Sequence, residues 1–456
     1  MHTNFTAEQL ASPRIAEAEQ ILRRCVHCGF CTATCSTYVL LGDERDSPRG
    51  RIYLIKDMLE NAKPASGAVT FHIDRCLSCL SCMTTCPSGV DYMHLVDLAR
   101  VHIEETGGRG FKDRLMRNLL ASIVPYPDRF RWALKAAGLG RLFVPLLNRL
   151  GFGQMAAMLE LAPKTRPPAP KYSGPGIATA EANEFGAKRK RVVMLAGCAQ
   201  QVLRPEINDA TIRLLVRRGV DVEVAAGAGC CGALVLHMGR EAEAIAQAKR
   251  NIDAWWSIIE RGAFDGILIN ASGCGTTVKD YGHLLRNDPE YARKAAHVGG
   301  ITKDVTEFLA GHDLGAPVQW SSLRVAYHSA CSMQHGQRIT SEPRMLLKKA
   351  GFAVVEIPEG HICCGSAGSY NILQPEIAKE LRTRKLAHIE SMSPDVVATG
   401  NIGCITQLAL GTELPIVHTI ELLDWAYGGP IPRGLEKLKH RVSDVPKPKP
   451  VALAGA

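Results

Sequence analysis

Cysteine spacing constrains this chain more than any other feature. Cys25, Cys28, Cys31 and Cys35 form one run, and Cys76, Cys79, Cys82 and Cys86 form a second, closed by Pro87. Each reads C-x2-C-x2-C-x3-C. Three thiolates two residues apart wrap one face of an iron–sulfur cubane, and the fourth, after a longer step, points away and ligates the other cluster of a pair. The spacing therefore assigns Cys25, Cys28, Cys31 and Cys86 to one [4Fe–4S] centre. It assigns Cys76, Cys79, Cys82 and Cys35 to a second.

Competing uses of cysteine fit less well. Structural zinc usually takes C-x2-C pairs separated by 15–20 residues, whereas here each run holds four cysteines and the runs lie 51 residues apart. Disulfides need an oxidising compartment, and the first residues, MHTNFTAEQLASPRI, have neither the basic start nor the apolar stretch of a signal peptide. A cytoplasmic location is expected, with a peripheral position on the inner face of the cell membrane as the variant. The net charge of +9 comes from scattered basic residues. The one basic run, Lys188–Arg191, precedes an expected strand, so no nucleic acid is expected as a partner. An anionic protein or membrane surface suits this charge better. No stretch of 18 apolar residues exists to span a membrane as a helix.

Along the chain the texture changes several times. Residues 1–112 predict a small helical domain around the clusters, with helices over 14–24, 52–61 and 92–105. Its apolar content is modest, so metal is expected to supply much of its folding energy. Residues 113–162 predict short amphipathic helices broken by Pro125, Pro127, Gly138, Gly140 and Gly151, a bridge packed on the rest of the protein. The sharper alternative is a docking face for a partner or a membrane interface. Residues 163–190 begin with a proline-rich linker. Beyond it the pattern is α/β, with strands at 191–196, 220–224 and 266–270. Residues 438–456 predict a disordered tail.

The remaining cysteines reveal a duplication. Cys198 is followed 32 residues later by Cys230-Cys231-Gly232, and Cys331 is followed 32 residues later by Cys363-Cys364-Gly365. Cys274 and Cys404 complete the two sets. Two modules, 191–320 and 321–437, thus carry the same C…CCG…C pattern. The cysteines fall at the ends of expected strands, where open α/β sheets place ligands. One pocket per module is expected, able to hold a further cluster or metal, since thiolates select iron–sulfur clusters, zinc or copper(I). The alternative is that these cysteines are small buried hydrophobes. His27, beside the first run, is expected to be a loop residue at the cluster cage. His328, three residues before Cys331, is expected to be a satisfied strand-end histidine.

A dicluster domain followed by two CCG modules resembles the iron–sulfur subunit of glycolate oxidase, and DSPRGRI (Asp46–Ile52) is similar to that family's sequence after its first cysteine run. Related architectures include the iron–sulfur subunits of anaerobic glycerol-3-phosphate dehydrogenase, lactate-utilisation subunits and heterodisulfide reductases. The resemblance implies an α+β multidomain protein: a helical ferredoxin-like domain, then two α/β modules. It implies an electron-transfer subunit of an oxidoreductase complex that turns glycolate into glyoxylate on a partner flavin subunit, with a quinone or membrane-surface acceptor. The alternative is a subunit like those of heterodisulfide reductase or anaerobic glycerol-3-phosphate dehydrogenase. In heterodisulfide reductases each module ends in Cys-x-x-Cys. Here Thr277 and Gln407 stand where the fifth thiolates would be, which counts against a noncubane cluster. No convincing nucleotide fingerprint is present, so no flavin or NAD and no catalytic residue is expected on this chain.

Overall fold

Capping side chains and prolines set where the N-terminal helices begin. Ser47 Oγ accepts the Gly50 N–H at 3.0 Å and Pro48 fills the first helical position, so a helix runs Pro48–Glu60. Together with helices Pro13–Arg24 and Tyr92–Thr106 it buries Leu22, Ile55, Leu95, Ala99 and Ile103 in a small core that includes Cys25, Cys76 and Cys82. These features belong to a computed structural model that describes residues 1–441, apart from 164, 166, 173, 181–188, 263 and 320. The expected tail from 438 closes a short 3-10 helix, Glu436–Arg441, and its remainder lies outside the described residues. So does Lys188 of the basic run.

Two sheets follow. The first contains β1 (Gly176–Ala178), β2 (Lys190–Met194), β3 (Val220–Val224), β4 (Gly266–Ile269) and β5 (Thr302–Asp304), in the order β1-β3-β2-β4-β5. The second contains β6 (Arg324–His328), β7 (Ala353–Glu356), β8 (Val396–Thr399) and β9 (Ile416–His418), in the order β7-β6-β8-β9. Without β1 the two orders are the same, and every pairing but β1–β3 is parallel. The duplicated sequence is thus a duplicated sheet. β1 lies within the expected linker. Its antiparallel pairing to the edge of β3 needs only three residues, too few to leave a sequence signal.

The modules share one core. Val192, Leu214 and Val222 of the first pack in a cluster with Val325, Leu347, Val396 and Trp425 of the second. The seam is also charged, because Asp424, 1% exposed, accepts from Arg213 at 2.6 Å and from Arg217 at 3.1 Å.

The intervening helices, Phe111–Ile123, Pro127–Gly140, Val144–Arg149 and Gly153–Leu161, lie across both modules. Met116, Leu120 and Ala121 pack with Val235 and Met238 of the first module and Leu373 of the second. Gly138 does not break its helix. The exposed helix-end position tolerates the cost of a glycine, about 1 kcal/mol. Among the described residues no helix is long and apolar enough to cross a membrane.

Candidate metal centres

The two N-terminal runs fold alike. Positive φ occurs two and four residues after the first cysteine of each: His27 (+56°) and Gly29 (+84°), then Ser78 (+49°) and Leu80 (+61°). Three of the four are not glycine, a conformation that costs of order 1–3 kcal/mol each and persists where the surroundings require it. The left-handed residues curl each C-x2-C-x2-C segment around a hollow.

The first hollow is lined by Cys25, Cys28, Cys31 and Cys86, with His27, Arg49 and Cys82. The second is lined by Cys35, Cys76, Cys79 and Cys82, with Arg51. The second hollow therefore contains three thiols of one run and the last thiol of the other, and the first contains the matching set with Cys82 added. Cys82, Pro48 and Tyr92 stand in the wall between them. Thiols set around a hollow in this way suit a [4Fe–4S] cubane. Burial, with neighbouring thiols adding to it, pushes Cys31 up to about 11 and Cys79 and Cys82 well above the ordinary thiol range. Ligation must therefore displace protons from them.

Cations and donors surround the sulfurs. Arg51 is 1% exposed, donates to His72 O at 2.7 Å and Thr37 Oγ1 at 3.1 Å, and pairs with Asp46. Desolvation opposes its charge, but Cys76, Tyr92, Cys35 and Asp46 outweigh that and raise its pKa. Buried Asp46 also accepts from Arg75 at 2.8 Å and contacts His72 at 3.0 Å. Arg49 is more exposed and holds Glu44 at 2.7 Å. The Ser78 N–H points at Cys76 Sγ from 3.5 Å, and Tyr92 Oη lies 3.8 Å from the same sulfur.

The CCG cysteines also converge, in a different arrangement from the expected pair of pockets. All eight, Cys198, Cys230, Cys231, Cys274, Cys331, Cys363, Cys364 and Cys404, line one large cavity. Within each module the thiols touch in sequence: Cys198–Cys230–Cys231–Cys274 and Cys331–Cys363–Cys364–Cys404. The quartets merge because the modules meet at the C-terminal ends of their sheets, where Ser272 and Ser332 hydroxyls bond at 2.8 Å and Ser272 N–H donates to Gly400 O at 3.1 Å. Leu120, Phe130, Leu134 and Leu159 of the bridging helices complete the wall. Gly365 (φ +87°) packs so tightly that a Cβ there would sit 2.5 Å from Ala378 O, which allows the vicinal pair its turn.

Two further residues join the picture. Cys79 lines both the second hollow and the large cavity, so these spaces adjoin. His328 is 1% exposed and its Nε2 has no hydrogen-bond partner, so it is not the satisfied histidine expected from sequence. Burial first, then Lys385, lowers its pKa to about 3. Thr277 and Gln407, at the missing fifth-cysteine positions, are held by backbone carbonyls: Thr277 donates to Gly273 O at 3.2 Å and Gln407 to Ala378 O at 3.0 Å.

Residues 24–90 match the 4Fe-4S dicluster domain, and residues 192–279 and 325–409 match the cysteine-rich (CCG) domain. The chain is 42% identical over 426 residues to the glycolate oxidase iron-sulfur subunit of Escherichia coli K12, covering 93% of this chain and 99% of that one. It is 31% identical to the probable glycolate oxidase iron-sulfur subunit of Bacillus subtilis 168, covering 91% and 96%. A crystal structure of a hypothetical protein from Helicobacter pylori shares the fold at a TM-score of 0.51 and 9% identity, covering 95% of this chain and 75% of that one. A dicluster domain set against paired cysteine-rich modules defines an iron–sulfur electron carrier with two [4Fe–4S] clusters as its cofactors. Within that class, the chain belongs to the family of glycolate oxidase iron–sulfur subunits.

Proposed function

We propose that this chain carries electrons for a complex that oxidises glycolate, or a close 2-hydroxy acid, on a flavin-bearing partner subunit. The observation that carries the reading is the wall between the hollows. Cys82 borders both thiol-lined hollows, and Cys79 joins the second of them to the large cavity. Thiols lining adjoining spaces along that line give a short route between centres. The clusters, when bound, supply one-electron steps that divide the two electrons a flavin delivers.

The ligand sets we assign are crossed: Cys25, Cys28, Cys31 and Cys86 for one cluster, and Cys76, Cys79, Cys82 and Cys35 for the other. The chain's own residues set the environment. Arg51 and Arg49 offset negative charge on the ligand sulfurs, and Tyr92 and the Ser78 N–H reach Cys76. The apolar lining of the large cavity suits an acceptor such as a quinone. The bridging helices expose Trp132, Leu142, Phe143 and Leu146 beside Lys135 and Arg141, which supports a peripheral position on the cytoplasmic face of the membrane. Thr277 and Gln407, standing where fifth thiolates would be, favour this reading over heterodisulfide reduction.

The test is reconstitution. The chain purified with its flavin partner should reduce a dye on addition of glycolate, and the chain alone should not. Dye reduction by the partner alone at the full rate, with glyoxylate formed, removes this chain from the electron path.

A further inference from the structure

The two CCG modules differ at two buried positions beside their thiols. Counting back three residues from Cys198 and Cys331 gives Leu195 and His328. Counting on 21 residues from Cys231 and Cys364 gives Ile252 and Lys385. In the first module Leu195 and Ile252 are buried in one apolar cluster with Cys231. In the second, the same places hold an imidazole and an ammonium, each 1% exposed. A buried polar pair at this position is expensive unless something there uses it.

The geometry shows what that is. One ligand atom each of His328, Cys364 and Cys404 lies within 4.8 Å of the other two. The eight cysteines of the N-terminal runs form no such close trio, although they have the cubane spacing. A cubane spreads its thiolates over four irons, whereas one ion draws its donors together at ~2.0–2.3 Å. The trio therefore has the compactness of a mononuclear site. Nε2 of His328 has no partner to give up. Cys364 and Cys404 border the large cavity and His328 does not, so the imidazole stands behind the two thiols and the cavity side remains for a fourth ligand. Lys385, held at 2.7 Å by Glu359 O, feels Cys331, Cys364 and Cys363 and offsets the charge of ligating thiolates.

We propose that the second module holds one zinc-class divalent cation on His328, Cys364 and Cys404, and that the first module, with Leu195 and Ile252, has lost or never had this site. This site is additional to the two cubanes and does not depend on the substrate of the complex.

The full-length chain would be purified anaerobically from zinc-supplemented cells, and iron and zinc measured together. The expected result is about eight irons, the content of two cubanes, with one zinc per chain. His328→Leu installs the residue the first module carries there. It should lose the zinc and keep the iron, and His328→Cys should retain both. Lys385→Ile should weaken zinc binding about tenfold, as loss of a supporting group around the ligands does. Cobalt substituted for zinc should give thiolate-to-cobalt absorption that His328→Leu alters and Leu195→Ala does not. Absence of zinc from the wild-type chain with iron at about eight overturns the proposal. So does zinc retained in His328→Leu, or about twelve irons without zinc, the sign of a third cubane in its place. Iron well below eight, with zinc bound, would count against the cubane assignment and leave this site standing.

Discussion

The backbone N–H of Cys363 donates to Ser36 Oγ at 3.0 Å, inside the protein and across 327 residues of chain. Ser36 follows Cys35, one of the thiols at the second hollow, and Cys363 is the first of the vicinal pair in the second module. Tyr370 Oη, donating to Arg75 O at 3.0 Å, fastens the same contact. The dicluster domain is therefore joined to the second module beside the large cavity that Cys79 and Cys331 both line.

Ser36→Ala should leave the Cys363 N–H buried without a partner, a loss of about 1–3 kcal/mol. Chemical unfolding of the cluster-loaded chain measures this. The midpoint of the second cluster should move and that of the first should not. An unchanged unfolding midpoint would show that the contact is dispensable.

Cys86 and Cys35 test the crossed ligand sets. Cys86→Ser should damage the centre built by Cys25, Cys28 and Cys31, although it lies in the other run, and Cys35→Ser should damage the centre built by Cys76, Cys79 and Cys82. Electron paramagnetic resonance of each reduced variant distinguishes the two signals. Loss of the signal belonging to the mutated residue's own run would reverse the assignment.

Arg51 and Arg49 should differ as electrostatic partners. Arg51 is enclosed and beside Cys35 and Cys76, so its charge acts with little screening. Arg51→Gln should lower the potential of the second cluster, because a nearby cation favours the reduced, more negative form. Arg49, half-exposed and paired to Glu44, should have a smaller effect on the first. Redox titration of both variants checks this, and equal shifts would contradict it.

His94 predicts a pH limit on the join between the dicluster domain and the first module. Its Nδ1 contacts Asp91 at 2.6 Å and its Nε2 contacts Asp280 at 3.1 Å, so both nitrogens face carboxylates, which favours the charged imidazolium. Desolvation opposes the charge, but bonds to Asp280 and Asp91 prevail and raise its pKa to about 10. The folded value lies above the ordinary one of about 6.5, so this stabilisation is complete below about pH 6.5 and is lost as pH rises toward 10. His94→Gln should flatten the decline of unfolding free energy across that window. An unchanged slope would count against a charged His94.

The exposed face of the bridging helices should carry the membrane contact. Trp132, 69% exposed, and Phe143, 57% exposed, are two of its large aromatic side chains. Replacing both with Ser should reduce sedimentation with anionic vesicles while leaving dye reduction with the flavin partner unchanged. Equal sedimentation of wild type and variant would assign the face another use.

Ligand spacing was legible in the sequence because a metal cluster reads adjacent residues. Two residues between thiols, on a tight left-handed turn, suffice to place three sulfurs on one face, and chain neighbours settle that geometry wherever the segment lies. The central strands were legible for a similar local reason: Val192, Val222 and Leu268 sit in short apolar runs between turn residues. Strands β5 and β9, three residues each, leave no such pattern. Tertiary packing alone decided the rest. The sequence implied two thiolate pockets, but two sheets meeting end to end merged them into one cavity. Nothing near residue 328 announces Cys404, 76 positions away, and nothing near Ser36 announces Cys363. These proximities come from the shared burial of Val192, Val325, Val396 and Trp425 in a common core, and no local spacing encodes that sum over many distant contacts.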